Sequence, residues 1–224
     1  MVTLQNIVAQ YGVLSAGQHT KADGKACVLE AAHAAIGDPW SDTPSRWPDL
    51  RPLNDGPWSS DQARTEALVP VLEALWDWEK WPHYKRTLWV KEVILQTVRE
   101  LLPPVLTACG LQAEAAACGK AGTFTEAARA VYTADIAIRR IVHDNDASIA
   151  SAAAATCISR AAGAARSASY DSTNAALLSS RAAVLAAYAE VYHAAETYGA
   201  GSIAGYSADG ILVAACKIWC GAGM

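Results

Sequence analysis

No proline follows Pro104 in this 224-residue chain, no apolar run approaches membrane-spanning length, and basic residues do not outnumber acidic ones. Each absence excludes something. The most apolar stretches are broken by Arg160, Arg166, Arg181 and Glu190. They fall short of the roughly 20 consecutive residues a transmembrane helix needs. Eighteen Lys and Arg against 22 Asp and Glu leave a formal charge of −4 with both signs mixed along the chain. That argues against general binding of double-stranded nucleic acid, which calls for a basic domain or stripe. Residues 1–16 lack the basic and apolar regions of a signal peptide. A cytoplasmic location is expected, with the six cysteines as reduced thiols.

Catalytic signatures are also missing. Gly119-Lys120 has neither the upstream glycine nor the following hydroxyl of a phosphate-binding loop. Residues 201–205 read G-S-I-A-G, not G-x-S-x-G, and no H-E-x-x-H occurs. Asp144-x-Asp146 lacks the glycine and closing glutamate of a calcium loop. The five histidines are dispersed, and Cys216 and Cys220 share a helix face without further ligands at metal spacing. No catalytic residue, metal or cofactor is therefore assigned.

What is present is alanine, roughly a fifth of the chain and far above ordinary usage. Alanine loses no side-chain entropy in a helix, but it buries little area, so alanine-rich helices must pack closely. Seven of the eight tryptophans lie between Trp40 and Trp89, with most of the prolines. The expected fold is an all-α, compact multi-helix bundle. A Trp/Pro-rich part, residues 1–108, packs on an Ala-rich helical part, residues 109–224, and the two need not be separate domains because no linker marks the join.

Apolar spacing predicts helices over 3–14, 23–36, about 59–80, 84–102, 111–118, 124–142, 147–168, 171–198 and 207–220. A Pro-, Asp- and Trp-rich loop is expected over 38–58. Ser59 and Gln62 read as a capping box. Pro70 should kink or restart its helix, and Pro103 and Pro104 should interrupt theirs. The buried face of 124–142 is expected to be Phe124, Ala128, Val131, Ile138 and Val142.

The motifs Cys27-Val28-Leu29-Glu30, Trp40-Ser41-Asp42 and Leu53-Asn54-Asp55, then Asp61 to Arg64, and later Arg99, Pro103, Gly110 and Leu111 carry a resemblance. The chain resembles an uncharacterised group of alanine-rich helical proteins of bacteria, notably actinobacteria, and their phages. It departs from the group's pattern around Trp76 to Trp89, where it has extra tryptophans. The resemblance implies an all-helical architecture and no particular chemistry.

Three constellations are candidate sites. Trp40, Asp42, Asn54, Asp55 and Arg64 could line a ligand loop, although turn capping explains the same residue types. Trp76, Trp78, Trp81 and Trp89, interleaved with Lys80, Lys85, Arg86 and Lys91, read as core or interface before they read as a stacking platform. Arg139, Arg140, Arg160, Arg166 and Arg181 would hold a small anion or nucleotide if the helices bring them to one groove, and otherwise form a solvated face. The leading expectation is a non-enzymatic binding or interaction protein that forms a homo-oligomer. Its sharper form is a phage-type anti-defence protein that sequesters a nucleotide signal or binds a host immune protein. The alternatives are an enzyme with acid/base work on Glu30, Asp42 or Asp55, and a structural or scaffold component.

Overall fold

The computed structural model describes residues 4–144, 149–168 and 209–222. Over these the chain is an all-α bundle, and its one β feature is an isolated bridge between Leu14 and Ala26. The helix expected over 171–198, the glycine-rich turn after it and Arg181 lie outside the described residues. No described helix is long and apolar enough to cross a membrane.

Helix α1, Leu4–Tyr11, ends sooner than the apolar spacing predicts, at Gly12 with φ 78°. Only glycine takes this left-handed conformation without cost. Helix α2, Val28–Ile36, starts five residues later than expected, because Gly24 turns left-handed and Cys27 is the N-cap. The predicted loop contains a short helix α3, Arg51–Asn54, which Pro52 opens in its first turn. Helix α4, Asp61–Ala74, is capped by Ser60 rather than Ser59, the Ser60 hydroxyl accepting from the Ala63 N–H. Gln62 bonds Glu66 instead of the cap. The helix continues through Pro70 and ends at Ala74, not near 80; a 3₁₀ turn, Trp78–Lys80, follows.

Helix α5, His83–Gln96, leads through a π turn, Thr97–Leu101, directly into α6, Leu102–Ala108. Pro103 and Pro104 thus do not interrupt the run. Each proline lacks an N–H and would clash with a carbonyl four residues back. The wider turn just before them relieves both problems.

Helices α7, Gln112–Gly119, and α8, Phe124–Asp144, follow closely. Thr123 and Glu126 form a capping box at the start of α8: Glu126 N–H donates to the Thr123 hydroxyl, and the Glu126 carboxylate accepts from the N–H groups of Gly122 and Thr123. The buried stripe of α8 is Ala127, Ala130, Val131, Ala134 and Ile138; Phe124, Ala128 and Val142 are only half-buried. The stripe runs through alanines because α9, Ile149–Ser167, lies against it with Ala154, Ala161, Ala162 and Ala164 buried in turn. Helix α10, Asp209–Gly221, crosses to the first half of the chain and packs on α4. A Cβ at Gly56 would meet the Leu53 carbonyl at 3.2 Å and the Leu212 side chain at 3.3 Å, so a larger residue here would press on both.

The large side chains missing from α8 and α9 are supplied by tryptophan. Trp81, Trp78, Trp89 and Trp219 form a continuous row with ring centroids 5.3, 5.2 and 5.1 Å apart, the last two contacts edge-to-face. Trp78, Trp89 and Trp219 are buried. Trp47 plugs the 38–50 loop between His33 and Trp76, with centroids 5.4 and 5.6 Å away.

Candidate functional site

The tryptophan loop comes first, because five of the sequence-derived candidates lie there. Asn54 is buried, and its side-chain oxygen accepts from the Val28 N–H at the start of α2. Its amide donates to the Ser15 carbonyl at 3.0 Å and to Asp55 at 2.8 Å. Asp55 accepts from the Gly17 N–H at 2.7 Å. Buried Arg64 donates to the carbonyls of Asn54 and Leu14 and pairs with Asp61. The Thr65 hydroxyl accepts from the Leu14 N–H at 2.8 Å. The Trp40 indole donates to the His19 carbonyl, and Asp42 accepts from Gln18.

Five of these bonds share one target, the backbone of residues 14–19. That segment has no regular structure to satisfy its own polar groups, and a buried N–H or C=O left alone costs about 1–3 kcal/mol. Asn54, Asp55 and Arg64 act as its substitute for a sheet or helix partner. Glu30 serves the same purpose. It is fully buried, and its carboxylate accepts from the N–H groups of Cys27 and His19, both at 2.7 Å, while His19 Nδ1 lies 3.1 Å away. The carboxylates proposed for acid/base work are therefore committed to backbone and side-chain donors, Glu30 most completely. The thiol of neighbouring Cys27 is pushed up to about 12, chiefly by burial, and stays protonated at neutral pH.

The Trp76–Trp89 cluster turns its rings on one another and on the core, and its cations on the rings. Lys85 Nζ sits 4.0 Å above the centre of Trp81, and the Arg86 guanidinium 5.6 Å from that of Trp78. Arg86 also donates to the carbonyls of Trp81 and Glu79.

The arginines of the second half are arranged differently. Helices α8 and α9 run antiparallel as a hairpin, and their outer faces enclose an open groove of about 750 Å³. Arg139, Val142 and His143 line it from α8; Ala155, Thr156, Ser159, Arg160, Gly163 and Arg166 line it from α9. Helical spacing explains the set, since residues three and four apart share a face. Asp135 organises the middle. It is buried, and one of its oxygens accepts from Arg139 Nε at 3.1 Å and from the Ser159 hydroxyl at 2.6 Å. Ser159 accepts in turn from Arg139 Nη2 at 2.7 Å. Arg139 is thereby fixed across the two helices while most of its side chain, 61% by area, stays open to solvent.

Arg160 and Arg166 are exposed, and among the described residues neither forms an ion pair. Among the described residues, three guanidinium groups stand here against one buried carboxylate. Such a lining suits a phosphate or carboxylate ligand, which arginine's planar fork binds through two parallel hydrogen bonds. Arg140 is exposed on α8 and does not line the groove; Arg181 lies outside the described residues.

Asp135, His143, Thr156 and Ser159 were not among the sequence candidates. The four-residue steps from Asp135 to Arg139 to His143, and from Thr156 to Arg160, mark them as neighbours. What the sequence lacks is the register that puts Ser159 between Asp135 and Arg139.

Among the described residues no group of three or more His, Cys, Asp or Glu side chains is placed to hold a metal ion. Comparison of the chain with known proteins finds no match to a protein family, to a curated sequence or to a solved structure.

Proposed function

We propose that this chain is a non-enzymatic binding protein for a small multivalent anion, held in the groove between α8 and α9. The observation that carries the reading is the convergence of Arg139, Arg160 and Arg166 from two helices onto one groove, two of them without a carboxylate partner among the described residues. A surface that only needed solubility would intersperse acidic residues with these arginines. Arg139 is the orienting group, pre-set by Asp135 and Ser159. A donor already held in place loses little entropy on binding. Arg160 and Arg166 supply charge, while the Thr156 and Ser159 hydroxyls already donate to the Ala152 carbonyl and to Asp135. The resemblance to a phage-borne group supports a role in sequestering an anionic signal of host defence.

Isothermal titration calorimetry of the full chain with inorganic pyrophosphate tests this reading. Saturable binding is expected, with an affinity that falls as salt rises. It should drop at least tenfold in an Arg160→Ala/Arg166→Ala variant that unfolds at the wild-type temperature. No heat at low salt, or equal affinity in the variant, would overturn the proposal.

A further inference from the structure

A second cavity, of about 180 Å³, opens in the first half of the chain, where three segments meet. The end of α2 contributes Ile36 and, just past it, Asp38; the following loop contributes Arg46 and Trp47; the turn after α4 contributes Trp76, Asp77, Glu79 and Lys80. The apolar part of the lining is Ile36, Trp47 and Trp76. Trp47 is almost wholly buried and Trp76 half-buried. Their rings incline at 43° with centroids 5.6 Å apart, so they make a corner rather than a flat wall. The polar part of the lining is three carboxylates and two cations. Arg46 donates through Nε to Asp38 at 2.7 Å and through Nη1 to Glu79 at 2.9 Å. One guanidinium thus holds two carboxylates, and one negative charge is left over. Lys80 pairs with Asp77 at 2.7 Å, but 80% and 59% of these side chains are open to solvent. Pairs so exposed contribute little and leave the carboxylate able to turn.

We propose that this corner binds an alkylated ammonium head, of the kind carried by choline or by a methylated lysine. The site shares no residue with the α8–α9 groove and has the opposite preference for charge, so it stands independently of the anion reading. Volume limits the occupant first. Pockets for drug-sized ligands start at about 300 Å³, so this one takes a single head or side-chain tip. The lining then selects its chemistry. An alkylated ammonium spreads its charge over methyl groups, which pack on indole rings and are attracted by their electron-rich faces. It needs no hydrogen-bond acceptor, so Arg46 can keep both of its carboxylates. Asp77 and the surplus charge of the Asp38–Arg46–Glu79 cluster favour a cation over a neutral group of the same shape, and they repel an anion.

The test titrates the full chain with choline, with acetylated trimethyllysine amide, and with dimethylbutanol, the uncharged carbon isostere of choline, following the indole N–H signals by NMR. Choline should move the signals of Trp47 and Trp76, identified by their loss in Trp47→Phe and Trp76→Phe, and leave those of Trp58 and Trp219 in place. It should bind at least about fivefold more tightly than dimethylbutanol. The tighter of choline and the lysine derivative shows whether the head arrives free or on a protein tail. Two exposed substitutions test the charge without touching the core. Asp77→Asn should weaken choline binding about two- to fivefold, and Lys80→Gln should strengthen it by a similar factor. Equal affinity for choline and dimethylbutanol, shifts confined to other indoles, or no shift with either ammonium probe overturns the proposal. So does a choline affinity indifferent to both charge variants. Pyrophosphate binding should be the same in all these variants, so the two sites fail or stand separately.

Discussion

The polar residues of residues 14–65 and those of the α8–α9 hairpin are of the same types, yet they are used in opposite ways. In the first region Glu30, Asn54 and Arg64 are buried and bound to the backbone of an irregular segment. In the second, the helical backbone satisfies itself, and Arg160 and Arg166 are exposed and form no ion pair among the described residues. Buried polar groups retained to hold a chain in place cannot also meet a ligand. Where mostly alanine packing builds the scaffold, the charged side chains are left for recognition. The contrast also explains why Glu30, Asn54 and Arg64, which look site-like in the sequence, proved to be internal.

Five variants probe this contrast, in order of expected loss of stability by urea denaturation. Trp89→Ala should cost about 3–5 kcal/mol, because it opens a cavity between Trp78 and Trp219. Asn54→Ala should cost about 3 kcal/mol, since it strands the Val28 N–H and the Ser15 carbonyl in the interior. A loss below about 0.5 kcal/mol there would mean that the network is dispensable, and the contrast would collapse. Ala154→Leu should cost about 1–3 kcal/mol by overfilling a fully buried position of α9. Thr123→Ala should cost about 1 kcal/mol through the lost cap of α8. Arg160→Ala with Arg166→Ala should change stability by no more than about 0.5 kcal/mol. A large destabilisation by the last pair would make these arginines structural, and the two regions alike.

A pH dependence sharpens the cap prediction. The N–H of Gly122 and the hydroxyl of Thr123 hold the Glu126 carboxyl below its ordinary value of 4.5. A carboxyl lowered by folding stabilises the native state above its unfolded pKa and loses that contribution as pH falls through the folded value. The difference in melting temperature between wild type and Glu126→Gln should therefore be present at pH 7 and close on acidification below 4.5. A difference that persists in acid would assign the cap's strength to shape rather than charge.

The all-helical class was legible because alanine content and 3.6-residue periodicity both report on local backbone preference. Boundaries failed where a nonlocal or conformational choice decided them: Gly12 and Gly24 turning left-handed, or Ser60 winning the cap from Ser59. The prolines misled for a related reason. Pro103 and Pro104 break an α-helix only if the preceding turn stays α, and the π turn at Thr97–Leu101 removes that condition. At the groove, Arg139, Arg160 and Arg166 were readable as candidates from type alone. Their meeting point depends on the offset between two helices, which Asp135 and Ser159 fix across the hairpin.

Trp219 closes the row of rings around Trp89, and Asp209 ties the same last helix to Ser59. The centre of the first half of the molecule is thus completed by a side chain made only after the α8–α9 hairpin. During translation the emerging tryptophans must wait with an open flank until residue 219 clears the ribosome. Nascent chains paused before that point should be bound by holdase chaperones and cut readily by proteases, and the full-length chain should resist both.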